Sequence, residues 1–208
     1  MASFSLYIPL LTNVEGGYQA LPQDSGNYNS LNQLVGTNHG ISAPVYEKYI
    51  GHPPTVNDMK TMSLDTALKI YRAWYWDKIN ASRILNQSVA NVIVDHAVNA
   101  GVAAAGKLVQ NTINKTFGFK LVVDGAIGNN TINAINSIAD QKKLHDALIN
   151  ARKEFYQGIG GVFLTGWLYR LTKFVYEEKK KVFGIGLLLV LVGIGVYVNS
   201  NRKKSKKK

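Results

Sequence analysis

Leu10-Leu11-Thr12-Asn13-Val14-Glu15-Gly16-Gly17-Tyr18 reads as the end of a short apolar helix with one carboxylate in its last turn. Gly16 and Gly17 stop it, because glycine takes the left-handed conformation that helix ends require without a Cβ penalty. A carboxylate at that place sits near the negative end of the helix macrodipole and beside apolar neighbours. Both effects disfavour its ionised form, which is what a proton-donating carboxylic acid needs near neutral pH. Taken alone, the stretch is equally compatible with an exposed glutamate before a glycine turn.

The chain downstream adds two elements. Asp24 follows Glu15 after eight residues, and Thr37-Asn38-His39-Gly40-Ile41 follows later. Glu15-Gly16-Gly17-Tyr18, Asp24-Ser25-Gly26 and Thr37-Asn38-His39-Gly40-Ile41 together resemble the glycoside hydrolase 108 family of N-acetylmuramidases. That family's run is roughly Glu-Gly-Gly-Tyr, Asp-Pro-Gly-Gly, Thr-Asn-x-Gly-Ile. Two departures stand out: Asp24-Ser25-Gly26-Asn27 replaces the second element, and about eight extra residues within 27–36 separate Asp24 from Thr37. The resemblance implies an all-α, lysozyme-like fold with a small irregular or β lobe over a cleft. It implies Glu15 as general acid, Asp24 positioning water or stabilising the oxocarbenium-like centre, and Thr37 holding that water. Tyr18, Asn38 and His39 would line the cleft.

Composition bounds the alternatives. There is no cysteine, hence no disulfide framework or zinc-thiolate site, and four scattered histidines offer no metal-ligand spacing. Neither a metal nor another cofactor is expected. The net charge of +11 ordinarily suggests nucleic acid, but nine of the 24 basic residues lie in 179–208 and all 13 acids lie before them. Residues 1–178 carry only +2, so nucleic acid is not an expected partner. The expected partner is the peptidoglycan glycan strand; the oligomeric state is left open.

Residues 182–198 form an uncharged apolar run between lysine clusters. As a helix it spans ~25 Å, short for a bilayer but workable with lysine snorkelling, and it is read as a C-terminal transmembrane helix. The basic tail favours a cytoplasmic end with the catalytic region facing the wall, while the N-terminus shows no secretory signal. The expected location is a host inner membrane or a virion membrane, with the lipid bilayer a second partner through 182–198. The glycines of this run lack i, i+4 spacing, so they do not support a dimer motif.

Along the chain, Pro9 permits a helix only to begin near it. Residues 19–41 read as an irregular lobe, with 27–36 a surface loop or short hairpin. Ser42 is an expected cap for 43–50, ended by Gly51, and Thr55 and Ser63 are expected caps. Leu64, Ala67, Leu68, Tyr71 and Tyr75 repeat at helical spacing, and Trp76 at that helix's end is the candidate for stacking on a sugar. Ser88 is read as capping 89–100, where Asp95 and Asn99 sit together at i, i+4. Asp95 through Gly101 resembles the family's Asp…Asn-x-Gly segment, so the pair is read either as a cleft-lining site or as a buried bond fixing the helix against the lobe. From about residue 92 the chain is similar to that family's predicted peptidoglycan-binding region. Asp124-Gly125 through Thr131 resembles its turn, and Asn130 or Thr131 would cap the next helix. Helices are expected at 131–139, 141–157 and roughly 162–181.

The domains expected are a catalytic region over 1–91, a helical peptidoglycan-binding region packed on it over 92–178, and the anchor with its basic tail over 179–208. The function implied by the resemblance is a membrane-anchored muramidase cleaving the β-1,4 bond between N-acetylmuramic acid and N-acetylglucosamine, in phage lysis or infection. Three alternatives stay open: a non-catalytic wall-binding protein, a lytic transglycosylase using Glu15 alone, and a chitinase-like enzyme.

Overall fold

Helical periodicity is realised along most of the described residues. The computed structural model describes residues 1–14 and 17–178. Met1–Tyr176 form one compact unit; of the second, Glu177–Lys208, only Glu177 and Glu178 are described. The helices are α1 (Phe4–Val14), α2 (Ala43–Ile50), α3 (Val56–Thr61), α4 (Leu64–Tyr71), α5 (Gln87–Ala100), α6 (Val102–Phe117), α7 (Asn129–Ser137), α8 (Gln141–Ile159) and α9 (Leu164–Leu171).

Pro9 lies inside α1 rather than at its start. The helix continues because Tyr7 and Leu11, one turn apart, are both buried, and that packing outweighs one lost backbone bond. Its N-terminus is tied to α5 by a reciprocal pair, Ser3 N–H to Gln87 Oε1 at 2.7 Å and Gln87 Nε2 to the Ser3 carbonyl at 3.1 Å. Gly51 ends α2 in the left-handed conformation, Thr55 and Asp58 form a full capping box on α3, and Ser63 caps α4. Asn86, not Ser88, caps α5, and Gly128 stands at the start of α7 without a side-chain cap. α9 spans eight residues, shorter than the helix expected over 162–181.

α5 is the central helix. Residues 88–97 are all buried, and it packs against α6 and α8 with α1 and the π-turn Arg72–Trp76 on its other sides. Gly101 joins α5 directly to α6 with φ 92° and ψ 154°, a corner that only glycine takes without strain. The lobe over 17–42 holds three isolated antiparallel bridges, Gln19–Thr37, Tyr28–Leu34 and Asn38–Ile41, and no extended strand among the described residues.

The expected transmembrane helix and single-pass membrane location do not stand. Among the described residues no helix is long and apolar enough to cross a membrane. The longest, α8 with 19 residues, carries Lys142, Lys143, Asp146, Arg152, Lys153 and Glu154. Residues 182–198 lie outside the described residues, so the fold is stated as helical with an irregular lobe, and the bilayer is not retained as a partner.

At the heart of the helical pack is Asp95, fully buried, with Arg152 and Arg170 on its two oxygens. Arg152 Nη2 reaches Asp95 Oδ2 and Arg170 Nη2 reaches Oδ1, each at 2.6 Å, while Arg152 Nη1 donates to the Val92 carbonyl at 3.1 Å. Burial pushes the Asp95 carboxyl up, but the two guanidinium groups outweigh it and hold it below the usual carboxylate range. Beside it, burial together with the Arg152 charge lowers the His96 pKa to about 3.

Asp95→Leu strands two buried cations and should cost ~3–5 kcal/mol in denaturant unfolding; Arg170→Leu should cost less, since the Asp95–Arg152 pair stays balanced. His96 is charged in the unfolded chain below its ordinary value of ~6.5 and neutral in the fold down to about 3. Its contribution is therefore complete above pH ~6.5 and lost as the pH falls towards its folded value; the depressed Asp95 acts in the same direction at lower pH. His96→Phe should flatten the acid limb of stability against pH, and an unchanged limb would refute that assignment.

Candidate active site

The lobe is built on Asn27, a side chain fully removed from solvent inside the stretch read as a surface insertion. Its Nδ2 donates to the Leu21 carbonyl at 3.0 Å, its Oδ1 accepts the Thr37 hydroxyl at 2.6 Å, and its backbone carbonyl accepts from Val35 and Gly36. Asn29, also buried, donates to the Pro54 carbonyl at 3.0 Å and accepts from Leu31 and Gln33. The insertion is thus a hairpin-like turn whose buried amides are satisfied partly within it and partly by Leu21, Thr37 and Pro54 outside it.

Asp24 and Thr37 converge on this turn. Asp24 caps the 3₁₀ turn Ser25–Asn27, its Oδ1 accepting from Gly26 N–H at 2.9 Å. Thr37 is bridged through its backbone to Gln19 at 2.7 and 2.9 Å and through its hydroxyl to Asn27. Both side chains are half-buried. Tyr18 lies across Gly36, its hydroxyl on the Val35 carbonyl at 3.1 Å and Lys60 Nζ 5.2 Å from its ring.

His39 is in the left-handed region at φ 48°, and its carbonyl accepts the Tyr71 hydroxyl at 3.0 Å. His39 and Tyr71, with Leu11, Thr12, Gly17, Leu64 and Leu68, line an apolar pocket of about 210 Å³ between α1, the lobe and α4. Glu15, the expected acid, lies outside the described residues; Gly17, two places on, borders this pocket. Tyr71 repeats at helical spacing with Leu64, Ala67 and Leu68, and nothing in that spacing distinguishes packing from supporting His39.

Three expected cleft residues are placed elsewhere. Trp76 is 1 % exposed, wedged against Phe4 and Tyr7 with its Nε1 on Ser82 Oγ at 2.8 Å, so its ring offers no face to a sugar. Asp95 points into the two arginines, fixing α5 against α8 and α9 rather than against the lobe. Asn38 is buried, with its amide donating to the Met59 carbonyl at 2.8 Å at the end of α3. Asn99 is exposed; its Nδ2 donates to the Asp95 backbone carbonyl at 2.7 Å. Among the described residues no group of three His, Asp or Glu side chains is placed to hold a metal.

Asn27→Leu should leave the Thr37 hydroxyl and the Leu21 carbonyl without partners and cost ~1–3 kcal/mol. Gly36→Ala should disrupt the lobe more, since a Cβ there falls 2.6 Å from the Gln19 carbonyl oxygen and the Tyr18 ring at φ +92°. Limited proteolysis of the lobe, followed with the unfolding midpoint, checks both.

Residues 8–101 match the model of the family described as glycosyl hydrolase 108, and residues 104–172 match that of a predicted peptidoglycan domain. Twelve chains of solved structures match. One is SagA of Brucella abortus, 27 % identical, with a TM-score of 0.69 over 82 % of this chain and 90 % of that one. No curated relative matches. A hydrolase match over the lobe and its flanking helices is followed by a peptidoglycan domain match over the remaining helices: the chain is a glycoside hydrolase whose residues 8–101 are of the glycosyl hydrolase 108 type and whose residues 104–172 are a predicted peptidoglycan domain.

Proposed function

We propose that the chain is an N-acetylmuramidase cleaving the β-1,4 bond between N-acetylmuramic acid and N-acetylglucosamine. Glu15 protonates the glycosidic oxygen; Asp24 orients the attacking water or stabilises positive charge at the anomeric carbon, and Thr37 helps hold that water. The observation that carries the reading is the convergence of Asp24 and Thr37 on the buried Asn27 turn, despite the intervening insertion. Tyr18 and His39 border the sugar path, the latter through the pocket next to Gly17. Asn99, exposed at the end of α5, is a further contact for the strand. The catalytic region of this reading is 1–91 and the wall-holding region 92–178. The setting we infer is a phage's attack on its host's wall, on the likeness of the Glu15, Asp24, Thr37 order to phage-type lysozymes.

Proton donation typically contributes ~10²–10⁴-fold to rate. Glu15→Gln should therefore lose wall clearing by about that factor with its unfolding midpoint unchanged. Mass spectrometry of digested wall should show reducing muramic ends. 1,6-Anhydro ends would replace hydrolysis by transglycosylation, and clearing by Glu15→Gln near the wild-type rate would remove Glu15 from the mechanism.

A further inference from the structure

A second cavity, of about 700 Å³, lies in the peptidoglycan domain beside the turn at Asp124-Gly125. Its lining includes Gln110, Phe119, Lys120, Val122, Asp124 and Asn130. The floor is rigid. Gln110, 1 % exposed on α6, places its Nε2 2.7 Å from Asp124 Oδ1 and 3.0 Å from the Ala126 carbonyl, and its Oε1 accepts from Gly125 N–H at 2.8 Å.

Two charges of opposite sign border this floor. Asp124 receives Gln110 and the Ala126 N–H on the same oxygen, Oδ1, at 2.7 and 2.8 Å. These bonds, Gln110's first, hold its carboxyl below the usual range, so it is ionised at neutral pH. Its Oδ2 accepts from no side chain or backbone group among the described residues, and Lys120 pairs there with no acid. Between them Val122 is 77 % exposed, and Phe119 and Leu121 are half-buried beside it. A ligand suited to this groove carries an anion and a cation on a short chain with small apolar groups. The sugars of peptidoglycan are neutral where the muramic carboxyl is amidated by the peptide stem. The stem itself has carboxylates, alanine methyl groups and the ammonium of its diamino acid.

We propose that this groove is the binding site for the peptide stem of peptidoglycan, with Lys120 taking a stem carboxylate, Asp124 Oδ2 the diamino-acid ammonium, and Phe119 and Val122 the alanine methyls. The proposal rests on the reading of the chain as a peptidoglycan hydrolase, and it separates two tasks: the lobe region works on the sugars, and the groove holds the peptide.

The test uses the full chain and the synthetic tetrapeptide L-Ala-γ-D-Glu-meso-diaminopimelate-D-Ala, with chitotetraose as the peptide-free probe. Calorimetry should show tetrapeptide binding that weakens about tenfold or more in Lys120→Glu, the loss of one charge-assisted contact. The Val122→Asp variant should weaken it as well, and the unfolding midpoints of both variants establish that they fold. Chitotetraose binding should be the same in Lys120→Glu and wild type. Absence of tetrapeptide binding to the wild type, or equal binding by Lys120→Glu, overturns the proposal. So does a parallel loss of chitotetraose binding. Cleavage of glycan strands stripped of their stems reads the other site separately: wild type and Lys120→Glu should cut them at the same rate. Failure of both to cut them would count against the muramidase reading while the tetrapeptide titration still decides the groove.

Discussion

Asp95 and its two arginines hold the helical pack together. A carboxylate taken fully out of water is costly, and its attraction to one cation rarely offsets that cost. Here two guanidinium groups from two different helices share its oxygens, and Arg152 also donates to the Val92 carbonyl and to the Tyr156 hydroxyl. The arrangement fixes α8 and α9 at one register against α5. α1 is clamped to the same helix through Ser3 and Gln87, and the lobe's Gly17 and His39 border one pocket with Leu11 and Thr12 of α1. Through α5, one buried carboxylate thus ties together α1, α8 and α9.

That dependence explains which parts of the molecule its sequence announced. Gly51, the Thr55 box and Ser63 act through neighbours within four residues, so their effect is local and readable. Asp95 is different: its partners lie 57 and 75 positions away. The i, i+4 pair with Asn99 is present, Asn99 Nδ2 donating to Asp95 Oδ2 at 3.4 Å, but the shorter bonds to the carboxylate come from the distant arginines. A signal did exist in α8, where Leu144, Leu148, Arg152 and Tyr156 repeat every four residues along the buried face. An arginine on an apolar stripe demands a buried acid, and Asp95 is the single acid in α5. Trp76 misled for a related reason, since position at a helix end says nothing of which neighbours close over a ring.

The lobe resists reading from sequence for another cause. Its order comes from side-chain amides bonded to backbone carbonyls, which leave no period. Asn27 and Asn29 have the composition of a flexible loop yet are as buried as core valines. Their burial is what lets about eight additional residues be accommodated while Asp24 and Thr37 stay on one turn. The added chain is tied into the lobe by bonds to Leu21, Thr37 and Pro54 on either side of it.

Gly101 ends one helix and begins the next, so no tether separates the region matched to the hydrolase from that matched to the peptidoglycan domain. Enzymes that carry a grip on a loose leash can search a whole neighbourhood of polymer while staying attached. Here the two regions meet at a single corner and α6 packs on α5 within one compact unit, so a wall strand touching both would meet them at one fixed spacing.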